Sequence, residues 1–370
     1  MPIEIRPVPV PATLGIPESV EFEAAAETAA LVEESVWGHR KFAWDTYELL
    51  PRYNDETYHG MRAFAAWDGD RCVGRVECEW ERADGAETVD LVLGVVPDAR
   101  RSGVGTALLA TARRLAADLR RPTLTTMSDV PASALDAPGE RLEARDGSGS
   151  IPASDPAAAF AVHHGFRLAQ LERVSGLTVE GRASAFAAAS AEHESDPRGY
   201  RLVSWVDRAP DQLLDELAVA HAAMSTDPPA GTATFDEEAW DGARVRATED
   251  EALDGRRTTL VTAAVSEVGR VAGYTELSLP SESASAFQWD TIVLKEHRGH
   301  RLGMRMKLAN LALLGRVGPE RTDVYTWNAD ENEHMLAINV ALGFTVRGLS
   351  ALWQLDAGAG SADSGATTGS

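Results

Sequence analysis

The chain has 370 residues, with 35 Lys and Arg against 57 Asp and Glu, and so a formal net charge of −22 at pH 7. That length suits about two domains. With 44% hydrophobic and 25% charged residues it has the mix of a globular chain that buries its cores without staples. The acidity excludes nucleic-acid partners, because affinity for a phosphate backbone rests on Lys and Arg.

The N-terminus, Met1-Pro-Ile-Glu-Ile-Arg6, has neither the basic start nor the apolar stretch of a signal peptide. No run approaches the ~20 apolar residues of a membrane span. A cytoplasmic protein without membrane association is expected. Cys72 and Cys78 are too few for a disulfide framework and lack zinc-site spacing. Six apart on a strand, they are expected to share one face as small core residues.

The predicted elements come twice in the same order. The first half reads as a short strand (3–8), a helix (about 20–36) and two alternating strands (63–67, 71–80). A buried strand (89–96), a helix from Gly105 to about Leu119 and a strand (123–127) follow. A helix ending at Gly165-Phe166 and a last strand complete it. The second half reads as a strand (200–206), a helix (210–223), strands (258–266, 270–278) and a buried strand (287–294). Then come a helix from Gly303 to about Leu314, a strand (323–327), a helix ending at Gly343-Phe344 and a last strand. The expected fold class is α+β, mixed α/β: two tandem domains, each a mixed central sheet flanked by helices. The boundaries are 1–180, a linker at 181–198 that carries a helix, 199–355, and a disordered tail at 356–370.

Landmarks repeat with the elements. Glu77 and Glu276 lie 199 residues apart, and Arg100 and Arg298 lie 198 apart. The Gly-Phe pairs lie only 178 apart. An insertion at 130–153, rich in Gly, Ala, Ser and Pro and read as loop, accounts for the difference.

The chemistry-bearing feature of each half is a strand, a Gly-containing basic turn and a helix. N–H groups at a helix start have no intrahelical partner and face anions with the positive end of the dipole. The first turn is Arg100-x-x-Gly103-x-Gly105; the second is Arg298-Gly299-His300-Arg301-Leu302-Gly303. Asn332-x-x-Met335-x-x-x-Asn339-x-x-x-Gly343-Phe344 starts 34 residues after Arg298; in the first half, beyond the insertion, Ser154-x-x-Ala157-x-x-x-Ala161-x-x-x-Gly165-Phe166 starts 54 residues after Arg100.

These turns and helices resemble the pyrophosphate loop, Arg/Gln-x-x-Gly-x-Gly/Ala, and the following Asn-x-x-Ala-x-x-x-Tyr motif of the Gcn5-related N-acetyltransferase (GNAT) superfamily. The resemblance covers roughly 1–178 and 199–355. In tandem architecture it is similar to mycothiol synthase, whose C-terminal half is the catalyst. The resemblance implies an N-acetyltransferase that uses acetyl-CoA and a small, cationic primary amine, needs no metal and allows a homodimer. The cofactor residues it implies are Ile292, Val293, Leu294, Arg298, Gly299, His300, Arg301, Leu302, Gly303, Met304, Asn328 and Asn332. In the N-terminal copy they are Val95, Arg100, Gly103 and Gly105. A backbone N–H at 292–294 or 93–95 would polarise the thioester carbonyl.

Glu276, and less so Glu77, is the expected base. The family's acidic Tyr is replaced by Asn339 and Ala161, and of these only Asn339 can hydrogen-bond near the leaving group. The C-terminal half, with Glu276, Asn328, Asn332, Trp289 and Trp327, is expected to catalyse; the N-terminal half is a degenerate copy able to bind CoA. Asp227, Asp236, Glu237, Glu238 and Asp241 are expected to line an acidic acceptor mouth. The rival reading is a non-catalytic acyl-CoA-binding or regulatory protein.

Overall fold

The computed structural model describes residues 3–193, 199–227, 231–233 and 236–356. Most of the expected tail lies outside the described residues. The N-terminal half runs β1 (Glu4–Pro7), α1 (Val20–Trp37), α2 (Thr46–Asn54), β2 (His59–Asp68), β3 (Arg71–Glu81), β4 (Thr88–Val95), α3 (Val104–Asp118), β5 (Thr123–Pro131), α4 (Ala132–Leu135), β6 (Arg141–Glu143), β7 (Ser150–Pro152), α5 (Pro156–His163) and β8 (Arg167–Thr178). After α6 (Ala183–Glu192) come β9 (Arg201–Val206), α7 (Leu214–Met224), α8 (Gly242–Asp254), β10 (Arg257–Val265), β11 (Val271–Pro280), β12 (Ser285–Val293), α9 (Leu302–Val317), β13 (Asp323–Ala329), α10 (Glu333–Leu342) and β14 (Thr345–Asp356).

Two helices were not legible in the sequence. One is α2, which is short and contains Pro51; the Asp45–Glu48 capping box starts it. The other is α8, a charged helix started by the Asp241 side chain on Arg244 N–H. The insertion is no plain loop: it carries α4 and the β6–β7 hairpin. The linker helix is present as α6, which packs on α9.

Both halves share one mixed sheet, in the order β1-β2-β3-β4-β5-β14-β8-β13-β12-β11-β10-β9. The last strands are exchanged. β14 of the second half pairs with β5 of the first, and β8 of the first pairs with β13 of the second. The two exchanged strands also pair with each other. Helices α3 and α9 cover one face with Leu108, Leu109 and Leu124, and with Leu308, Leu311 and Val324. Helices α1, α2 and α7 cover the other, over Phe22, Leu49 and Met61, and over Leu217, Val261 and Tyr274. No described helix is long and apolar enough to cross a membrane.

The cysteines are both buried, but on opposite faces. The register slips between Ala66↔Gly74 and Trp67↔Cys72. The extra residue, Val73, reverses the alternation. The same slip recurs at Ala264↔Gly273 and Val265↔Val271.

Candidate active site

The two basic turns have one backbone. After a short 3₁₀ turn, Arg100 and Arg298 are extended, and each Nε donates to a strand carbonyl, at Val95 and Val293, over 3.0 Å. Arg101 and Gly103 in one turn, and Gly299 and Arg301 in the other, adopt left-handed conformations. Neither helix start has a side-chain cap, so its first N–H groups stay available to an anion. Both arginines are clamps. Arg100 Nη2 reaches Ser35 at 2.7 Å, and Arg298 Nη2 reaches Asp227 at 3.0 Å.

Gly105 and Gly303 serve packing as well. An added Cβ would meet Phe160 of α5 or Ile338 of α10 at 3.1 Å. Leu302 is buried core, Met304 packs against the same cluster as Leu308, and His300 lies against the Tyr200 ring. Ile292 and Leu294 face α7, and Val293 packs on the α9 side. Asn332 caps α10 by accepting from Met335 N–H at 3.2 Å.

A cleft opens beside each turn because two parallel strands part. Pairing ends at Leu91↔Thr126 in β4–β5 and at Gln288↔Thr326 in β12–β13. Val96 and Leu294 N–H bond to β3 and β11, so by alternation Val95 and Val293 N–H point to the gap. In the N-terminal half this gap is a cavity of about 740 Å³. Val95, Arg100, Gly103 and Gly105 all line it, together with Asp129 and Phe160. In the C-terminal half, the equivalents of its lining residues Leu109, Ser128 and Ala161 are Lys307, Asn328 and Asn339. There Lys307 Nζ donates to Asn339 Oδ1 at 2.9 Å, and Asn339 Nδ2 donates to Asn328 Oδ1 at 2.6 Å.

The two candidate bases differ more than their sequence context. Glu77 is buried and regularly paired opposite Val92. Burial pushes its carboxyl up, but Arg75, Arg52 and the Tyr53 hydroxyl outweigh this and hold it below the usual range. Arg75 and Tyr53 both donate to it, so it is locked in place. Glu276 sits at a bulge: Thr275 faces Thr291 and Leu277 faces Gln288, so Glu276 opposes both Trp289 and Asp290.

The half-buried carboxylate of Glu276 makes no hydrogen bond or ion pair among the described residues. Burial, then the Asp290 charge, raise it to about 8. Asp290 accepts from Tyr274 Oη at 2.5 Å, and burial raises it too. His221, stacked on Trp240, is held neutral at about 4 by burial and by Arg244.

The surroundings of Glu276 come from both halves. Phe287, Trp289 and Trp327 stand stacked with centroids 6.2–6.3 Å apart. Trp44, from the connection between α1 and α2, packs on Trp289 at 6.2 Å. Trp289 remains 43% exposed, an open apolar face beside two carboxyls. The alternation Phe287-x-Trp289 on one strand and Tyr325-x-Trp327 on the next was the available signal for this ladder. Trp44 had none, because its contact is long-range.

The expected acidic mouth is largely consumed by structure. Asp227 pairs with Lys295 and Arg298, and Asp236 accepts from Glu87 and Thr88 N–H. Glu238 takes Arg244 and Trp240, and Asp241 caps α8. Residues 228–230 and 234–235 of that segment lie outside the described residues. Sequence reading also missed Asp129, which lines the N-terminal cavity and, with Glu33 and Glu172, is raised by burial. No His, Cys, Asp and Glu cluster able to hold a metal occurs among the described residues.

Residues 29–135 match the acetyltransferase (GNAT) family model. No curated protein matches the chain. Among solved structures, a tandem GNAT protein from the clavulanic acid biosynthesis pathway is 26% identical, with TM-score 0.71 over 96% of this chain and 99% of that one. A GCN5-related N-acetyltransferase from Sphaerobacter thermophilus is 16% identical, with TM-score 0.61 over 96% of each chain. With both parting-strand clefts and both turns in place, the chain has the architecture of a tandem GNAT protein.

Proposed function

We propose that the protein is an acetyl-CoA-dependent N-acetyltransferase acting on the primary amine of a small cationic molecule, with the C-terminal half as catalyst and the N-terminal half as a CoA-binding copy. The observation that carries this is the contrast between Glu276, unpaired beside an open aromatic face, and Glu77, locked by Arg75, Arg52 and Tyr53.

The residues present fit CoA. The uncapped helix starts at 103–105 and 301–303 offer N–H groups to a pyrophosphate, and the N-terminal cavity has room for a pantetheine arm. Bound there, acetyl-CoA would supply an activated acetyl group. Val293 N–H would polarise a carbonyl in the gap. An acceptor ammonium beside Glu276 and Asp290 would lower both carboxyls by charge, and Glu276 then takes its proton. Trp289 and Trp44 would hold the apolar part of the acceptor, and a cation is attracted to such rings.

The test follows thiol release from acetyl-CoA over a panel of amines. Glu276→Gln should lower kcat/KM by about 100-fold, the usual worth of a positioned base. Glu77→Gln should chiefly lower the melting temperature, since it breaks a buried charge cluster. Equal losses, or a larger loss at Glu77, would move the chemistry to the N-terminal half. Tight CoA binding without turnover on any amine would replace the enzyme with a binding protein.

A further inference from the structure

The two clefts differ in one buried feature. Around the N-terminal cavity stand Leu109, Ala161 and Ser128; the same positions in the C-terminal half are Lys307, Asn339 and Asn328. Lys307 is only 1% exposed. Its Nζ donates to Asn339, which donates on to Asn328 on β13, two residues past the last paired position, where the strands part. The Phe344 ring lies 5.8 Å from Nζ. Among the described residues no carboxylate pairs with this amine. An ammonium has three N–H donors, and one is used.

Burying a cation without a counter-charge opposes folding, and an apolar residue such as the leucine of the other half would avoid that cost. The position is therefore occupied against stability, at the equivalent of a residue that lines the N-terminal cavity and in the half where the proposed thioester would lie. The group that lacks a partner in that reaction is the departing sulfur.

We propose that Lys307 is the proton donor to the CoA sulfur in the C-terminal half, an assignment that rests on the reading above and completes it. The acceptor, a free amine once its ammonium proton has passed through Glu276 to solvent, forms the new C–N bond and gives a second proton to Glu276. As the C–S bond breaks, its electron pair stays on sulfur, which takes one proton from the Lys307 ammonium. Lys307 is left neutral and recovers a proton from solvent, and Glu276 releases one. Asn339, anchored by Asn328, fixes the direction of Nζ.

The acid–base balance agrees. Burial lowers Lys307 to about 7, so transfer to a thiolate, ordinarily near ~8.5, runs downhill. The groups facing Nζ are Asn339 of α10, Asn328 of β13 beyond it and the Phe344 ring before β14. No charged side chain on these elements or on α9 contributes to the shift.

The experiment compares wild type, Lys307→Met and Glu276→Gln in the full chain. The first readout is the ultraviolet thiolate absorbance of bound CoA as a function of pH. Wild type should show a bound thiol titrating below that of free CoA, and Lys307→Met should abolish this perturbation. The second is the pH–rate profile: Lys307→Met should lower kcat about 100-fold and lose the alkaline fall.

Its melting temperature should rise, as removal of an unpaired buried charge predicts; a merely structural lysine would give a fall in melting temperature with an unchanged profile. Unchanged kcat and thiol titration in Lys307→Met, with Glu276→Gln impaired, would overturn this assignment alone. Full activity of Glu276→Gln would instead overturn the choice of the catalytic half. Should Lys307→Met not fold, Asn339→Ala releases Nζ from its anchor. That variant should lower kcat with KM for acetyl-CoA little changed, and wild-type kcat would overturn the assignment.

Discussion

At the scale of single residues, the two turns show one backbone written in two sequences. Each needs two left-handed positions, and each half places glycine at only one: Gly103 beside Arg101, Gly299 beside Arg301. A left-handed conformation costs a side-chain-bearing residue roughly 1–2 kcal/mol, and glycine loses roughly 0.5–1 kcal/mol of extra chain entropy. Arg301→Gly should therefore raise stability by up to about 1 kcal/mol in urea unfolding. A loss would mean that the arginine side chain itself holds the turn.

Glu276 gives a second residue-level expectation. Its carboxyl is raised to about 8 in the folded chain against an ordinary value near 4.5. The protonated form is the one the fold favours, so its stabilisation is complete below the unfolded value and is lost as pH rises through about 8. Glu276→Gln should match wild type in melting temperature at pH 4 and exceed it at pH 9. A constant difference between the two pH values would contradict the shift.

At the scale of elements, small insertions decide which copy carries an unpaired carboxyl. β3–β4 pairs regularly, whereas β11–β12 gains one residue and opens at Trp289–Asp290. That extra residue places both Trp289 and Asp290 opposite Glu276, where Glu77 has only Val92. Helix α10 depends on its first residue. Asn332 accepts from Met335 N–H, so Asn332→Ala should cost about 1 kcal/mol of stability. If its role is only that of a cap, CoA affinity measured by calorimetry stays unchanged, and Asn332→Asp, another good cap, restores stability.

At the scale of the molecule, the exchange of β8 and β14 makes the halves inseparable. Residues 1–180 alone would leave β5 without β14 and expose β8 as a long edge, a template for aggregation. Each half expressed alone should be insoluble or aggregated. Co-expressed halves should assemble, and the whole chain should unfold in one transition by both circular dichroism and Trp fluorescence. A soluble, cooperatively folded single half would refute this. The exchange also brings Trp44, Phe42 and Lys41 of the first half onto the aromatic strands of the second.

The sequence by itself determined the duplication, the strand–turn–helix units and the position of the turns. Those depend on local periodicity and on short-range backbone chemistry, which any reader of the chain can count. It also placed Glu276 and Glu77 at equivalent points. Only the tertiary structure decided that one is locked and the other open. That difference comes from Arg52 and Tyr53 on α2 and from an extra residue in β12, neither visible without the register. The strand exchange, the Trp44 contact and the Lys307–Asn339–Asn328 chain were hidden for the same reason. Each joins residues far apart in sequence, and burial and pairing, not composition, set what those residues can do.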